Sequence, residues 1–280
     1  MSPMRFEVRI LVAEDERLGQ MVAAGMLEAF GCRVDLARDG GKAVEMSGQN
    51  PYDLIFLDLS MPVMDGIEAA RAIRGRERGG GRRIPLIAMT GHTREEERER
   101  CRAAGMDDFL SKPITAEDMG ALLSRWLAPR PPGEEEGDGE EGRRAAQPPS
   151  EAEGKQRREG EETEPGVHLP TLLKLGRLQE EDEDDVVKEM AEIFLREAPR
   201  HLSAIRESMG RADAASMEVA AHTLKGSSTI LGARRMAALS GGLEEMAAAG
   251  EVLGAGPRLA QLEAEFRRVR RELEAEPWKR

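Results

Sequence analysis

Residues 128–166 divide this chain in two, and any fold proposed for it has to respect that division. Glutamate, glycine and proline dominate the stretch, and a few alanines are its only aliphatic residues. A segment of that composition cannot bury enough apolar surface to offset the entropy of ordering itself. We read it as a disordered, acidic, solvated linker between an N-terminal domain at 1–127 and a C-terminal domain at 167–280. As a flexible coil it would span on the order of 35 Å, which lets the flanking domains meet without forcing them to.

The two sides have different rhythms. Before the linker, short apolar runs at 8–13, 33–37, 54–57, 86–89 and 108–110 read as strands, with helical stretches at 17–30, 115–126 and between the others. This alternation predicts an α/β domain with a five-stranded parallel sheet covered on both faces. Active groups of such sheets collect at the carboxyl ends of the strands. After the linker there is no strand signal. Helices are predicted near 169–178, 184–197, 200–209, 212–231, 235–248 and 259–275, with Pro199 in a first turn and Gly210 and Gly232 at helix ends. Apolar spacings of three and four predict an all-α four-helix bundle with a short accessory helix. With only 3% aromatic residues, both cores must be aliphatic and alanine-rich.

Composition also excludes partners. A net charge of -12 argues against nucleic acid as the main ligand. No apolar run reaches the ~18–20 residues that span a bilayer, and no charged-then-apolar leader is visible. Cys32 and Cys101 lie far apart without metal-ligand spacing and read as packing residues in a reducing cytoplasm.

Chemistry first gathers at the strand ends. Glu14 and Asp15 follow the first strand, Asp58 the third, Thr90 the fourth, and Lys112-Pro113 the fifth. Acid rather than glycine follows the first strand, so a nucleotide-phosphate loop is not expected. Clustered carboxylates call for a hard divalent cation, and magnesium with retained waters fits best. Each residue alone has a structural explanation: an acid or threonine after a strand caps the next helix, and a lysine is a solvated surface group. The ordered set, with Asp58-Leu59-Ser60-Met61-Pro62-Val63-Met64-Asp65-Gly66 in its middle, resembles the response-regulator receiver domain, with flavodoxin-like topology, over about 9–127. The resemblance implies that Asp58 accepts a phosphoryl group. It makes Asp15, Asp58 and the carbonyl of Ser60 magnesium ligands, with Glu14 acting through water. Lys112 would pair with Asp58 and then with phosphoryl oxygens, beside a proline that is commonly cis in the family. Thr90 would follow the phosphoryl group, and Phe109 would turn inward with it. Glu16 stands where the family tunes phosphoryl lifetime. Gly91, where alanine is more usual, would loosen the loop after Thr90.

The second constellation is His222-Thr223-Leu224-Lys225-Gly226-Ser227. On a helix, Lys225 lies about 60° from His222, Gly226 about 40° and Thr229 about 20°, with Met217, Leu224 and Leu231 on the opposite side. The imidazole should therefore point outward while the apolar line packs. Glycine within a helix costs about 1 kcal/mol, so Gly226 is expected to give another protein close access. A lone helix histidine is ordinarily a surface group. The full run, His-x-x-Lys-Gly followed by small residues, resembles the histidine phosphotransfer (HPt) domain over about 167–276. That implies His222 as phosphoacceptor, with Lys225 offsetting the incoming charge. His92, His168 and His201 lack such surroundings and read as ordinary surface or packing residues.

Together these readings give a phosphorelay intermediate resembling the receiver–phosphotransfer end of a hybrid histidine kinase. It would take phosphate from a sensor histidine kinase and pass it to a response regulator, and it should not phosphorylate histidine from ATP, since no nucleotide-binding module is visible. A phosphorylation-controlled docking switch or phosphate sink is the alternative. A magnesium phosphohydrolase ranks third, because Ser60 stands two residues beyond Asp58, where a general acid would be needed.

Overall fold

The computed structural model describes residues 6–78, 82–91, 95–127, 167 and 183–275. The N-terminal half alternates β1 (Arg9–Ala13), α1 (Arg17–Ala29), β2 (Arg33–Ala37), α2 (Gly40–Gln49), β3 (Leu54–Asp58), α3 (Gly66–Glu77), β4 (Leu86–Thr90), α4 (Glu95–Ala103), β5 (Asp108–Ser111) and α5 (Ala116–Leu127). All five strands are parallel, in the order β2-β1-β3-β4-β5.

Strand periodicity of two sorts the apolar residues onto the two faces. Leu11, Ala13, Ile55, Leu57, Leu86 and Ala88 pack with α2, α3 and Cys101 at the end of α4. Ile10, Val12, Leu54, Phe56, Ile87 and Met89 pack with α1, α5 and Cys32. Both cysteines are buried free thiols. Because every residue of β3 and β4 is buried, these strands read as continuous apolar runs, which is what a doubly covered sheet requires. The strand order reverses direction at β1 and β3, so the carboxyl ends of these two strands open the crevice. Asp39 caps α2 by accepting from the Lys42 amide at 2.7 Å, and Asp65 with Glu68 forms a capping box on α3.

The C-terminal half is helical: α6 (Glu183–Gly210), α7 (Ala214–Ile230), α8 (Arg234–Ala248), a 3-10 turn (Val252–Gly254) and α9 (Gly256–Glu274). One expectation fails here. The helices expected at 184–197 and 200–209 are one, and Pro199, which by local chemistry suits a first turn, lies inside the unbroken α6. A proline in a helix interior costs about 3 kcal/mol. Phe194, Ala198, Leu202 and Ile205 nonetheless stay on one buried stripe through it, and that packing keeps the two segments in phase. Gly232 follows α7 with φ 76°, as a helix-ending glycine does. The expected helix at 169–178, the linker 128–166, His92 and His168 lie outside the described residues.

Candidate functional site

Strand ends β1 and β3 bring the acidic residues together. Glu14 and Asp58 are each 3% exposed, and one carboxylate oxygen from each of Glu14, Asp15 and Asp58 lies within 4.8 Å of the others. Burial, reinforced by the Asp58 charge, raises the Glu14 pKa to about 8 and the Asp15 pKa to about 6. Lys112, directly after β5, enters from the far side. Its Nζ donates to Glu14 Oε2 and to Asp58 Oδ2, both at 2.7 Å. Burial alone would favour its neutral form, but the two carboxylates outweigh it and raise its pKa. The peptide bond from Lys112 to Pro113 is cis. One cation among three carboxylates leaves negative charge over, and a compact all-oxygen set of this kind can hold a hard metal ion.

Backbone close to the pocket is arranged around Asp58. The Ser60 amide donates to Asp58 Oδ1 at 3.2 Å. A Cβ on Gly66 would lie 2.2 Å from the Asp58 carbonyl oxygen, so α3 can start against this strand end only with glycine there. A Cβ on Gly19 would meet the Glu14 side chain instead, at 2.7 Å from its Cδ, so a larger residue there would push the carboxylate aside. Thr90, 5% exposed at the end of β4, donates its hydroxyl to Glu97 Oε2 at 2.5 Å. Phe109 is half-buried, with the Arg98 guanidinium 4.3 Å above its ring.

The histidine site is built on α7 and α8. Met217, Leu224 and Leu231 are fully buried, and His222 leaves the helix on the other side. His222 Nδ1 lies 2.6 Å from Glu244 Oε1, and Lys225 Nζ donates to Glu244 Oε2 at 3.0 Å. A carboxylate only accepts, so the ring proton sits on Nδ1 and the in-plane lone pair is on Nε2. Glu244 is buried, which by itself would raise its pKa. The hydrogen bonds and charges of His222 and Lys225 overcome this and hold it down at about 2. Sequence reasoning missed Glu244. The available signal was its place four residues after Ser240 and three before Ala247, on the buried stripe of α8, where a carboxylate needs a cationic partner.

The histidine does not face open solvent as expected. Its side chain is 17% exposed, because the N-terminal domain covers it. A Cβ on Gly91 would lie 3.0 Å from His222 Cε1, which places the ring against the loop after Thr90. Gly91 directly follows Thr90 at the carboxyl end of β4, so the imidazole stands on the edge of the sheet where the acidic cluster lies. Glu16, half-buried, meets the Ser227 hydroxyl. Its Oε2 would be 3.7 Å from a Cβ on Gly226, an ordinary contact. Gly226 therefore does face the other domain, though an alanine there would also fit. Leu18, Met21 and Val22 of α1 pack into the bundle core, and Arg17 lies 4.0 Å from Glu189 of α6. The buried residues of α1 that pack on the sheet are instead Ala23 and Leu27.

Residues 10–124 match the family described as the response regulator receiver domain, and residues 189–272 match the Hpt domain. Among curated proteins, "Probable histidine kinase 1" of Oryza sativa subsp. indica is 32% identical over 46% of this chain and 16% of its own length. "Histidine kinase 5" of Arabidopsis thaliana is 34% identical over 42% of this chain and 16% of itself. The chain thus spans under a fifth of the length of these relatives. A solved receiver domain of a Pseudomonas aeruginosa sensor histidine kinase, with magnesium coordinated in its active-site cleft, is 40% identical. The match covers 43% of this chain and 98% of that one, with a TM-score of 0.40. Among the described residues, no helix is long and apolar enough to cross a membrane.

Proposed function

We propose that this chain, which joins a response regulator receiver domain to an Hpt domain, is an intermediate of a two-component phosphorelay. Asp58 accepts a phosphoryl group and His222 carries one, between a sensor histidine kinase and a response regulator in the cytoplasm. Residues 1–127 form the receiver unit, 128–166 the linker and 167–280 the HPt unit.

The observation that carries this reading is the Glu244 carboxylate on His222 Nδ1. It fixes the tautomer whose Nε2 is nucleophilic, and it balances the positive charge the ring gains when Nε2 bonds phosphorus. Lys225 shares the same carboxylate and so stands beside the arriving phosphoryl oxygens. A phosphotransfer role needs in-line positioning and charge neutralisation more than proton chemistry, and the other pocket is arranged for that. Asp58 supplies the attacking carboxylate. Lys112 holds it by hydrogen bond and is placed to follow the phosphoryl oxygens. Thr90 supplies a hydroxyl at the strand end beside it, and Phe109 packs behind.

Glu14, Asp15 and Asp58, with the Ser60 carbonyl, would hold magnesium, which when bound supplies positive charge to the phosphoryl oxygens. The donor set fits that ion: clustered carboxylates carrying more negative charge than Lys112 offsets.

Phosphotransfer from a phosphorylated histidine kinase tests the reading. Asp58→Ala should remove the base-labile acyl phosphate, and His222→Gln should remove the acid-labile phosphohistidine. Label that persists in its chemical form in both variants would refute these assignments.

A further inference from the structure

The helix α4 is almost wholly polar, and of its acids Glu95, Glu96 and Glu99 are exposed while Glu97 is half-buried. The helical period accounts for the difference. Glu97 stands one turn before Cys101, through which α4 packs on the sheet. The next residue, Arg98, lays its guanidinium over the Phe109 ring of β5 at 4.3 Å and lies 4.0 Å from Glu95. These contacts hold the start of α4 against the sheet, and there the Glu97 carboxylate accepts the Thr90 hydroxyl at 2.5 Å.

The main chain around Thr90 is fixed from both neighbouring strands. The Lys112 amide donates to the Thr90 carbonyl at 2.7 Å, and the Leu59 amide to the Met89 carbonyl at 3.2 Å. Those bonds keep the end of β4 beside Asp58 and Lys112, so only the Thr90 side chain is left to turn. A threonine hydroxyl has one proton to give, and an ionised carboxylate can only accept. That proton is directed at Glu97, which leaves the oxygen lone pairs for anything else that approaches. A phosphoryl group on Asp58 is also an acceptor. Thr90 can donate to it only after Glu97 lets go.

Resting on the phosphorelay reading above, we propose that Glu97 is a positioning residue: it competes with the Asp58 phosphoryl group for the single proton of Thr90, and so sets how tightly the pocket holds that group. Hydrogen bonds to an ionised acceptor are the strong ones, and losing one shifts an equilibrium by roughly tenfold to a hundredfold. The competition therefore weakens the hold on the phosphoryl group in both directions of transfer. A relay carrier has to give up what it accepts, and a pocket without this competitor would keep the group longer. Arg98 supports the arrangement by fixing the helix turn from which Glu97 reaches the strand end.

The test uses the full chain with magnesium chloride and the beryllium trifluoride anion, an acceptor-only stand-in for the phosphoryl group, with binding followed by fluorine-19 spectroscopy. Glu97→Ala should bind the anion on the order of tenfold more tightly than the wild type. Glu97→Gln, which keeps a neutral acceptor, should fall between the two. Thr90→Val removes the contested proton and should weaken binding. In that background, adding Glu97→Ala should change the affinity by less than about twofold. A residue that only stabilised α4, or only repelled the anion by its charge, would give the same change with or without the Thr90 hydroxyl. Affinity unchanged or weaker in both Glu97 variants overturns the proposal, as does an equal gain in the Thr90→Val background. Wild-type binding that Asp58→Ala abolishes supports the phosphorelay reading whatever the Glu97 variants do. If the wild type takes neither the anion nor a base-labile label from acetyl phosphate, that reading falls and the proposal with it.

Discussion

Replacing Glu244 with glutamine removes one negative charge from a buried site that holds two hydrogen-bond donors, and its consequence can be worked out from the structure. The Glu244 side chain is 6% exposed, with His222 Nδ1 at 2.6 Å and Lys225 Nζ at 3.0 Å. Its pKa falls from 4.5 to about 2 on folding. A depressed carboxylate pKa stabilises the fold fully above the unfolded value and is lost as pH falls through the folded one. The shift of about 2.5 units corresponds to about 3 kcal/mol at pH 7, of which about 2 kcal/mol should be gone by pH 3. Glutamine does not titrate in this range. The assay is urea unfolding of the wild-type and Glu244→Gln chains, followed by far-ultraviolet circular dichroism at intervals from pH 7 to pH 3. The stability gap should be widest near neutrality and begin to close below about pH 4.5. A gap that stays constant down to pH 3 would refute the argument that this carboxylate is held ionised by its two partners. The same variant examined by nitrogen-15 spectroscopy should lose its bias toward the Nδ1–H form of His222, because an amide can turn either end to the ring.

Three other outcomes follow from particular contacts. Gly66→Ala forces a methyl to within 2.2 Å of the Asp58 carbonyl oxygen, so the chain should lose about 3 kcal/mol or more in thermal or urea unfolding and lose Asp58 labelling with it. Arg74, 8% exposed, donates to the Gly105 and Ile84 carbonyls and pairs with Glu77 and Asp107. Arg74→Ala would leave Asp107 with Arg83 and the Leu86 amide and Glu77 with the Ile84 amide, while the Gly105 and Ile84 carbonyls lose a buried donor, and should cost about 3 kcal/mol, measured by the same unfolding. Asp15→Asn takes a charge from the acidic cluster, and magnesium affinity measured by titration calorimetry should drop at least about tenfold, since even outer partners of a metal site contribute that much.

How much of this could be read before any coordinates depends on whether a residue acts through its own segment or through a distant one. The strands were legible because each is an apolar run of β-formers bounded by turn residues. The pocket was legible because its members stand at strand ends, where topology alone brings them together. The helix break at Pro199 was misread because local chemistry argued for it, while the buried stripe of Phe194, Ala198, Leu202 and Ile205 argued against it, and packing won. Glu244 lay beyond reach for a different reason: its partner is on another helix, and nothing within α8 shows which cation it meets.

The seam between the domains was the hardest part to read, and Gly91 shows why. An absent side chain leaves no pattern of its own. From the chain alone, a glycine after Thr90 is a looser loop, and an extra apolar stripe on α1 at Leu18, Met21 and Val22 is unremarked surface. Each is ambiguous, yet both face the same body once the bundle is in place. The stripe fixes where α7 crosses, and the crossing sets the ring against Gly91, a position without a Cβ. Exchanging either feature alone should therefore cost the docking of His222, since a stripe without the vacant position holds the ring away, and a vacant position without the stripe leaves it unheld.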